Sequence, residues 1–407
     1  MTAQFTATFE VRDSLDHCVK CTVCESACPV AAVTELFPGP KTVGPQAERY
    51  RAGAHSPDHS VDLCSGCGLC SRVCPQGVRI AEINSRARAT LKREHGIPLR
   101  DQLLGRPGLM GRAARPVAPL FNWALANPIL RRLGERTLGI HHLAPVPKAV
   151  GRPFSYWVAR HRPLRSDRRV VYFHGCSTQH FEPEVGKKVV RILEHNGFQV
   201  LIPKQDCCGL PLQSNGIFEP ARRYLTRLAR QLAAAGGERL PVISSSTSCG
   251  LMLKREGLEI LGLTDRQLVD VSRRTYDIFE FLLQLKEQGE LTTDFVPVPL
   301  TVAYHAPCQQ QNQLIGKPVL EVLAGIPGLR LVEIDQVCCG VAGTYGLKRE
   351  KYDIAMRVGE PLFSDLAEAV PDLVACDSET CRWQIALATG LPVVHPLEIL
   401  YRAYGGG

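Results

Sequence analysis

The sequence predicts an α+β chain of several domains: a mainly helical N-terminal unit, a basic helical linker, and a duplicated α/β unit with parallel sheets. Three observations carry this. Two cysteine runs of identical spacing open the chain, Cys18–Pro29 (CVKCTVCESACP) and Cys64–Pro75 (CSGCGLCSRVCP). A segment from Arg100 to Arg169 then carries 14 Lys/Arg against 3 Asp/Glu, more than the whole chain's net charge of +8. Beyond it the chain repeats itself: RRVVYFHGC, QDCCGLP and VISSSTSCG recur as LTVAYHAPC, QVCCGVAG and VACDSETC. Cys176, Cys207 and Cys249 correspond to Cys308, Cys338 and Cys381 at offsets of 132, 131 and 132, too consistent for chance. The expected domains are 1–99, 100–165, 166–290 and 291–407.

Each cysteine run is C-x2-C-x2-C-x3-C-P, the bacterial ferredoxin pattern for a pair of [4Fe–4S] clusters. Three closely spaced thiolates on a tight loop cover three irons of one cube. The fourth cysteine, just before a proline that turns the chain away, ligates the other cluster. The expected sets are Cys18, Cys21, Cys24 and Cys74 for one cluster, and Cys64, Cys67, Cys70 and Cys28 for the other. Zinc sites use separated CxxC pairs, so two identical four-cysteine runs argue against zinc knuckles. The runs are joined through PGPKTVGPQAERYR (38–51), whose prolines and glycines read as loop. Residues 79–94 read as a helix leaving the second run, with Ile80, Ile83 and Leu91 as an incomplete apolar stripe.

Composition sets the compartment. Hydrophobic content of 45% and charged content of 22% are those of a globular protein, but seventeen cysteines are far more than usual. The start, MTAQFTATFEVRDS, has no apolar core of a signal peptide. The expectation is a reducing compartment, where cysteines serve metal or redox chemistry rather than disulfides. No 18-residue apolar run exists, so membrane contact would be peripheral.

The basic segment is punctuated by proline and glycine and holds Trp123 and Trp157. Short helices are expected at 118–126 and 129–138. Arg, Trp, Phe and Leu on short amphipathic helices suit an interfacial membrane contact, a subunit-docking surface, or an interdomain linker with solvated arginines. Nucleic acid is not an expected partner, because no recognised module follows and the prolines break any continuous basic helix.

In each repeat, three β-branched runs (VVYF, QVLIP and PVISS, then TVAY, LRLVEI and LVA) alternate with helical stretches, which argues for a parallel sheet with cysteines on loops after strands. The candidate metal ligands are Cys176, Cys207, Cys208 and Cys249 in the first repeat, and Cys308, Cys338, Cys339 and Cys381 in the second. The glycine after each CC pair, Gly209 or Gly340, allows positive φ or close backbone approach. His174 and His305, shortly before the first cysteines, read as strand-end packing or hydrogen-bonding residues. No GxGxxG stands in strand–helix context, so no flavin or nicotinamide site is expected and no catalytic residue is assigned.

The CCG repeats resemble the cysteine-rich domains of the heterodisulfide reductase B subunit, whose pattern is C…CCG…CxxC and whose cysteines hold a noncubane [4Fe–4S] cluster. The ferredoxin–CCG–CCG order resembles the iron–sulfur subunits of quinone-linked oxidoreductases. CVKCTVCESACPV, FPGPKTVGPQAER, the basic Leu/Pro/Trp segment and CRWQIALATG resemble the family of iron–sulfur C subunits of anaerobic glycerol-3-phosphate dehydrogenases. That resemblance implies two [4Fe–4S] clusters with one or two more at the CCG motifs. It also implies a FAD-containing dehydrogenase subunit and membrane quinone as partners, and a peripheral place on the cytoplasmic face of the inner membrane. The chain departs from the CxxC pattern: Ser246 and Ser378 replace its first cysteine, and Cys376, two residues early, is an alternative ligand for the second repeat. Other implied roles are the iron–sulfur subunit of a lactate or glycolate oxidase, and a heterodisulfide reductase-like thiol/disulfide reductase.

Overall fold

The computed structural model describes residues 11–51, 58–237 and 239–406; the first ten residues of the predicted 1–99 unit lie outside them. The N-terminal unit consists of two cysteine loops, each running into a single helical turn, Val23–Ser26 and Leu69–Arg72, followed by the long helix Ile80–His95. The loops share a backbone shape. Gly66 and Gly68 flank Cys67 in the left-handed region, and Lys20 and Thr22 flank Cys21 in the same region without being glycine. A non-glycine residue held there needs surroundings that over-determine it.

The expected loop 38–51 contains a helical turn, Thr42–Gln46, with Pro45 inside it. Its Gly44 packs against Asn84 of the long helix, so close approach to a neighbouring helix stabilises a conformation the local composition disfavours. The basic segment is α-helical in five pieces, Leu99–Leu104, Pro107–Ala114, Ala118–Ala126, Pro128–Leu138 and Phe154–Val158. Pro128 stands at the first helical position and Asn127 caps Ile129 and Leu130, so the proline there starts a helix rather than breaking one.

The repeats form two four-stranded parallel sheets of identical order, β2-β1-β3-β4 and β6-β5-β7-β8. The strands are β1 Arg169–Phe173, β2 Gln199–Leu201, β3 Val242–Ser244, β4 Thr275–Asp277, β5 Thr301–Tyr304, β6 Arg330–Glu333, β7 Leu373–Ala375 and β8 Val393–Val394. In register, Val171 lies opposite Val242 and, correspondingly, Val302 opposite Leu373. The β1, β3 and β7 runs are buried on both faces, as parallel strands between helical layers must be.

The two sheet units are not packed as independent bodies. Helix Ile278–Glu287, which ends the first unit, packs on Pro318–Leu323 of the second; helix Leu397–Ala403, which ends the second, packs on Pro183–His195 of the first. One apolar cluster therefore takes in Tyr172, Val190 and Phe279 together with Tyr304, Val319 and Leu400. Polar contacts follow the exchange: Lys188 pairs with Glu398, and the Lys286 ammonium donates to the Glu321 carbonyl.

Candidate iron–sulfur centres

The strands and loops gather the candidate cysteines into four groups. Cys18, Cys21, Cys24 and Cys74 line one small cavity. Cys28, Cys64, Cys67 and Cys70 line a second. Each cavity thus draws three thiols from one loop and the fourth from the other. The first sits near the surface, with Cys21 exposed; in the second, Cys64, Cys67 and Cys70 are buried. Burial pushes the Cys28 thiol up to about 11, and burial with the neighbouring Cys338 pushes Cys67 up to about 12. Thiols crowded together away from water resist ionisation, so four thiolates persist there only around a cation such as iron. Chemistry and donor number both fit a cubane in each cavity. The backbone and a neighbouring amide add donors: the Val78 N–H lies 3.4 Å from Cys74 Sγ, and Asn84 Nδ2 lies 4.0 Å from Cys64 Sγ.

In the first sheet unit Cys176 Sγ lies 3.8 Å from Cys207 Sγ, and Cys208 Sγ lies 3.5 Å from Cys249 Sγ. In the second, Cys308, Cys338, Cys339, Cys376 and Cys381 are all buried and close enough for their charges to act on one another. Hydrogen bonds from neighbouring thiols push Cys207, Cys338 and Cys381 down, while the partners that would have to give up those protons are pushed up. The glycine after each pair has a local role. The Gly209 N–H lies 3.4 Å from Cys207 Sγ and the Gly340 N–H 3.2 Å from Cys338 Sγ. Gly340 has φ +84°, and a Cβ there would collide with the Ala355 carbonyl.

Ser246 and Ser378 do not play the same part. The Ser246 hydroxyl is 3.3 Å from each carboxylate oxygen of Glu379, so in the first unit the missing cysteine's place is taken by a bond to the second unit. Ser378 Oγ instead lies 3.4 Å from Thr380 Oγ1. Cys376 is fully buried and feels the charge of Cys381, which places it beside the second set.

Between the N-terminal unit and both sheet units lies a cavity of about 530 Å³. Cys64, Cys67, Cys176, Cys208, Cys249 and Cys308 open into it, opposite an apolar wall of Leu103, Leu104, Met110, Phe121 and Trp383. The N-terminal unit is fixed over it by buried polar contacts. Asn312 Nδ2 donates to the Cys67 carbonyl at 3.0 Å. Arg88 donates to the carbonyls of Cys64 and Ser214. The Lys351 ammonium reaches the Asp62 carboxylate at 2.7 Å, and Lys348 reaches Asp101 at 2.9 Å. None of these four bridging residues stood out in the sequence, because a single Lys or Asn in a loop, or one Arg among several on a helix, has no pattern.

Comparison with known proteins agrees with the geometry. The 4Fe-4S dicluster domain family matches residues 14–78, and the cysteine-rich domain family matches 170–254 and 302–386. The chain is 38% identical over 399 residues to the C subunit of anaerobic glycerol-3-phosphate dehydrogenase of Escherichia coli strain K12, covering 96% of this chain and 98% of the relative. It is 25% identical to the glycolate oxidase iron-sulfur subunit of the same strain, over 97% and 95% of the two chains. It is also 25% identical to the D subunit of the dihydromethanophenazine:CoB–CoM heterodisulfide reductase of Methanosarcina barkeri, over 96% and 94%. A dicluster domain followed by two CCG domains defines an iron–sulfur electron-transfer protein that holds [4Fe–4S] clusters. Within that class, the chain belongs to the family of the anaerobic glycerol-3-phosphate dehydrogenase C subunit.

Proposed function

We propose that this chain carries electrons from a FAD-containing subunit oxidising glycerol 3-phosphate to membrane quinone, while lying peripherally on the cytoplasmic face of the inner membrane. The observation that supports it most is the unbroken succession of thiol sets. It starts at exposed Cys21, passes through the Cys28/Cys64/Cys67/Cys70 set, and continues to Cys308 and Cys338; the charge of Cys338 acts on Cys67, and that of Cys67 on Cys308. The central cavity then joins Cys308 to Cys176 and Cys249. We assign Cys18, Cys21, Cys24 and Cys74 to the first cubane and Cys28, Cys64, Cys67 and Cys70 to the second. Cys176, Cys207, Cys208 and Cys249 hold the first CCG centre; Cys308, Cys338, Cys339 and Cys381, with Cys376, hold the second. When bound, the clusters accept and release single electrons. The protein's own residues bury the second set, exclude water from it, and hold its loop through Arg88 and Asn312.

The deciding experiment combines the iron-loaded chain with the dehydrogenase subunits under anaerobic conditions. Glycerol 3-phosphate is expected to bleach the cluster absorbance, and glycolate and lactate to leave it. Bleaching by glycolate alone would favour the glycolate oxidase role instead. The disulfide reductase role is weakened by Ser246, which the bond to Glu379 already occupies.

The basic segment supports the membrane part of the proposal. Leu120 (62% exposed), Trp123 (59%) and Ile129 (74%) project from its helices beside exposed Arg112, Arg115, Arg132 and Arg136. Exposed apolar and cationic side chains on the same short helices are the combination that an anionic lipid surface requires. Among the described residues no helix is long and apolar enough to cross a membrane. The triple change Leu120→Ser, Trp123→Ser and Ile129→Ser is expected to weaken partition into phosphatidylglycerol vesicles by about 100-fold or more, from lost apolar burial. Flotation that is unchanged would assign this face to a protein partner.

A further inference from the structure

Two of the differences between the CCG units each add a group to the second thiol set. Ser244 of the first unit corresponds to Cys376 of the second. The strand-end histidine, two residues before Cys176 as His174, stands three residues before Cys308 as His305. In the first unit both polar groups are spent locally. The Ser244 hydroxyl donates to the Ser246 carbonyl at 3.2 Å, and His174 Nδ1 lies 2.7 Å from the Gly175 carbonyl. In the second unit they are not. Cys376 is fully buried and feels the charge of Cys381. His305 is 0% exposed, and neither of its ring nitrogens makes a hydrogen bond of good geometry, the Ile334 backbone being the one polar group close enough to act on the ring as an off-line contact. The charges of Cys381 and Cys338 both act on its ring.

A neutral imidazole has one N–H donor and one acceptor nitrogen. Both are buried here, within reach of the charges of Cys338 and Cys381, and a buried donor is retained in a fold when something accepts from it. Thiolate and bridging sulfur are such acceptors, and hydrogen bonds to sulfur are among the factors that set a cluster's potential. Adding an electron increases the negative charge on those sulfurs, so an N–H aimed at them stabilises the reduced form more than the oxidised one.

We propose that His305 donates its ring N–H to a sulfur of the centre held by the second CCG unit, and so raises that centre's reduction potential above that of its duplicate. His305 is then a positioning and tuning residue, not an iron ligand. This rests on the assignment of an iron–sulfur centre to Cys308, Cys338, Cys339 and Cys381.

The test is a potentiometric titration, followed by EPR, of the iron-loaded full chain and of His305→Leu, His305→Gln and His174→Leu. In His305→Leu the iron content is expected to hold while one centre's midpoint falls by at least the 59 mV that corresponds to tenfold in a one-electron equilibrium. His305→Gln, which keeps an N–H donor, should recover at least half of that shift. His174→Leu should leave every midpoint in place. An unmoved midpoint in His305→Leu would overturn the proposal, as would a shift that glutamine does not reduce.

Pulsed EPR on the unaltered protein gives a second readout that does not depend on any variant folding. A weak nitrogen coupling, as from a hydrogen-bonded imidazole, is expected. Its absence, or a strong coupling from nitrogen bonded to iron, would refute the role. Failure of the underlying assignment has its own signature: Cys338→Ser with Cys381→Ser would then remove no iron.

Discussion

Replacing Cys28 with serine is expected to abolish the cluster cradled by Cys64, Cys67 and Cys70 and to leave the one cradled by Cys18, Cys21 and Cys24. Cys28 belongs to the first run in sequence, yet it lines the cavity of the second. Its thiol feels the charge of Cys64, and Cys70 in turn feels that of Cys28. Serine keeps the shape but offers a far more weakly acidic oxygen in place of a soft thiolate. Iron content should fall by about four per chain, the complement of one cubane, with the EPR signal of the surface cluster intact. The reciprocal change, Cys74→Ser, should take the surface cluster and spare the buried one. Loss of the cluster in the same loop as the mutated residue would show that each run holds its own cube.

Lys351→Met should destabilise the seat of the N-terminal unit by about 3 kcal/mol, the lower range for removing one member of a buried ion pair. Lys351 is 2% exposed and holds both the carbonyl and the carboxylate of Asp62, two residues before Cys64. Lys92, 3.2 Å from the same carboxylate, keeps part of the compensation and limits the loss. Hydrogen exchange along helix Ile80–His95 would measure it, as earlier opening of the helix in the variant than in the parent. The same contacts give a pH dependence. Lys351 and Lys348 hold the carboxyls of Asp62 and Asp101 below their ordinary range despite burial. The folded protein therefore favours their ionised forms. The carboxylates' share of that stabilisation is complete above their ordinary pKa of about 4 and is lost as pH falls below it. Burial pulls Lys348 down and Lys351 down to about 7, so charging these lysines already costs stability as pH falls from the ordinary lysine range towards 7. Exchange protection at this seam should accordingly fall between about pH 4 and pH 3.

The parts of the fold that were legible had either a period or a copy. The cysteine runs were legible because their spacing is that of ligands around a cluster, and the fold brings Cys74 to the first run and Cys28 to the second. The repeat gave six of the eight strands. β4 and β8 were missed because Thr275–Asp277 follows a helix without a turn signal and Val393–Val394 is only two residues between prolines. Tertiary pairing, with β3 and with β7, makes them strands. Thr42–Gln46 was misread as loop for the opposite reason: its Gly and Pro are local breakers, and packing against Asn84 outweighs them. The lysines and asparagines that seat the N-terminal unit leave no mark in a single sequence. The contrast between His174 and His305 was invisible too, since two histidines just ahead of the first cysteines read alike until their neighbours are known.

The exchange of terminal helices between the CCG units has a consequence for how the chain comes apart. Neither half keeps a complete apolar face alone. Cutting near residue 290 would leave Pro183–His195 without Leu397–Ala403, and Pro318–Leu323 without Ile278–Glu287. Opening one half thus exposes the other, and the two can be lost only as one cooperative unit. The geometry is that of a dimer of identical subunits, each lending its last helix to the other, with a peptide link added between them. Duplication has kept the interface closed while freeing the two copies to differ inside it.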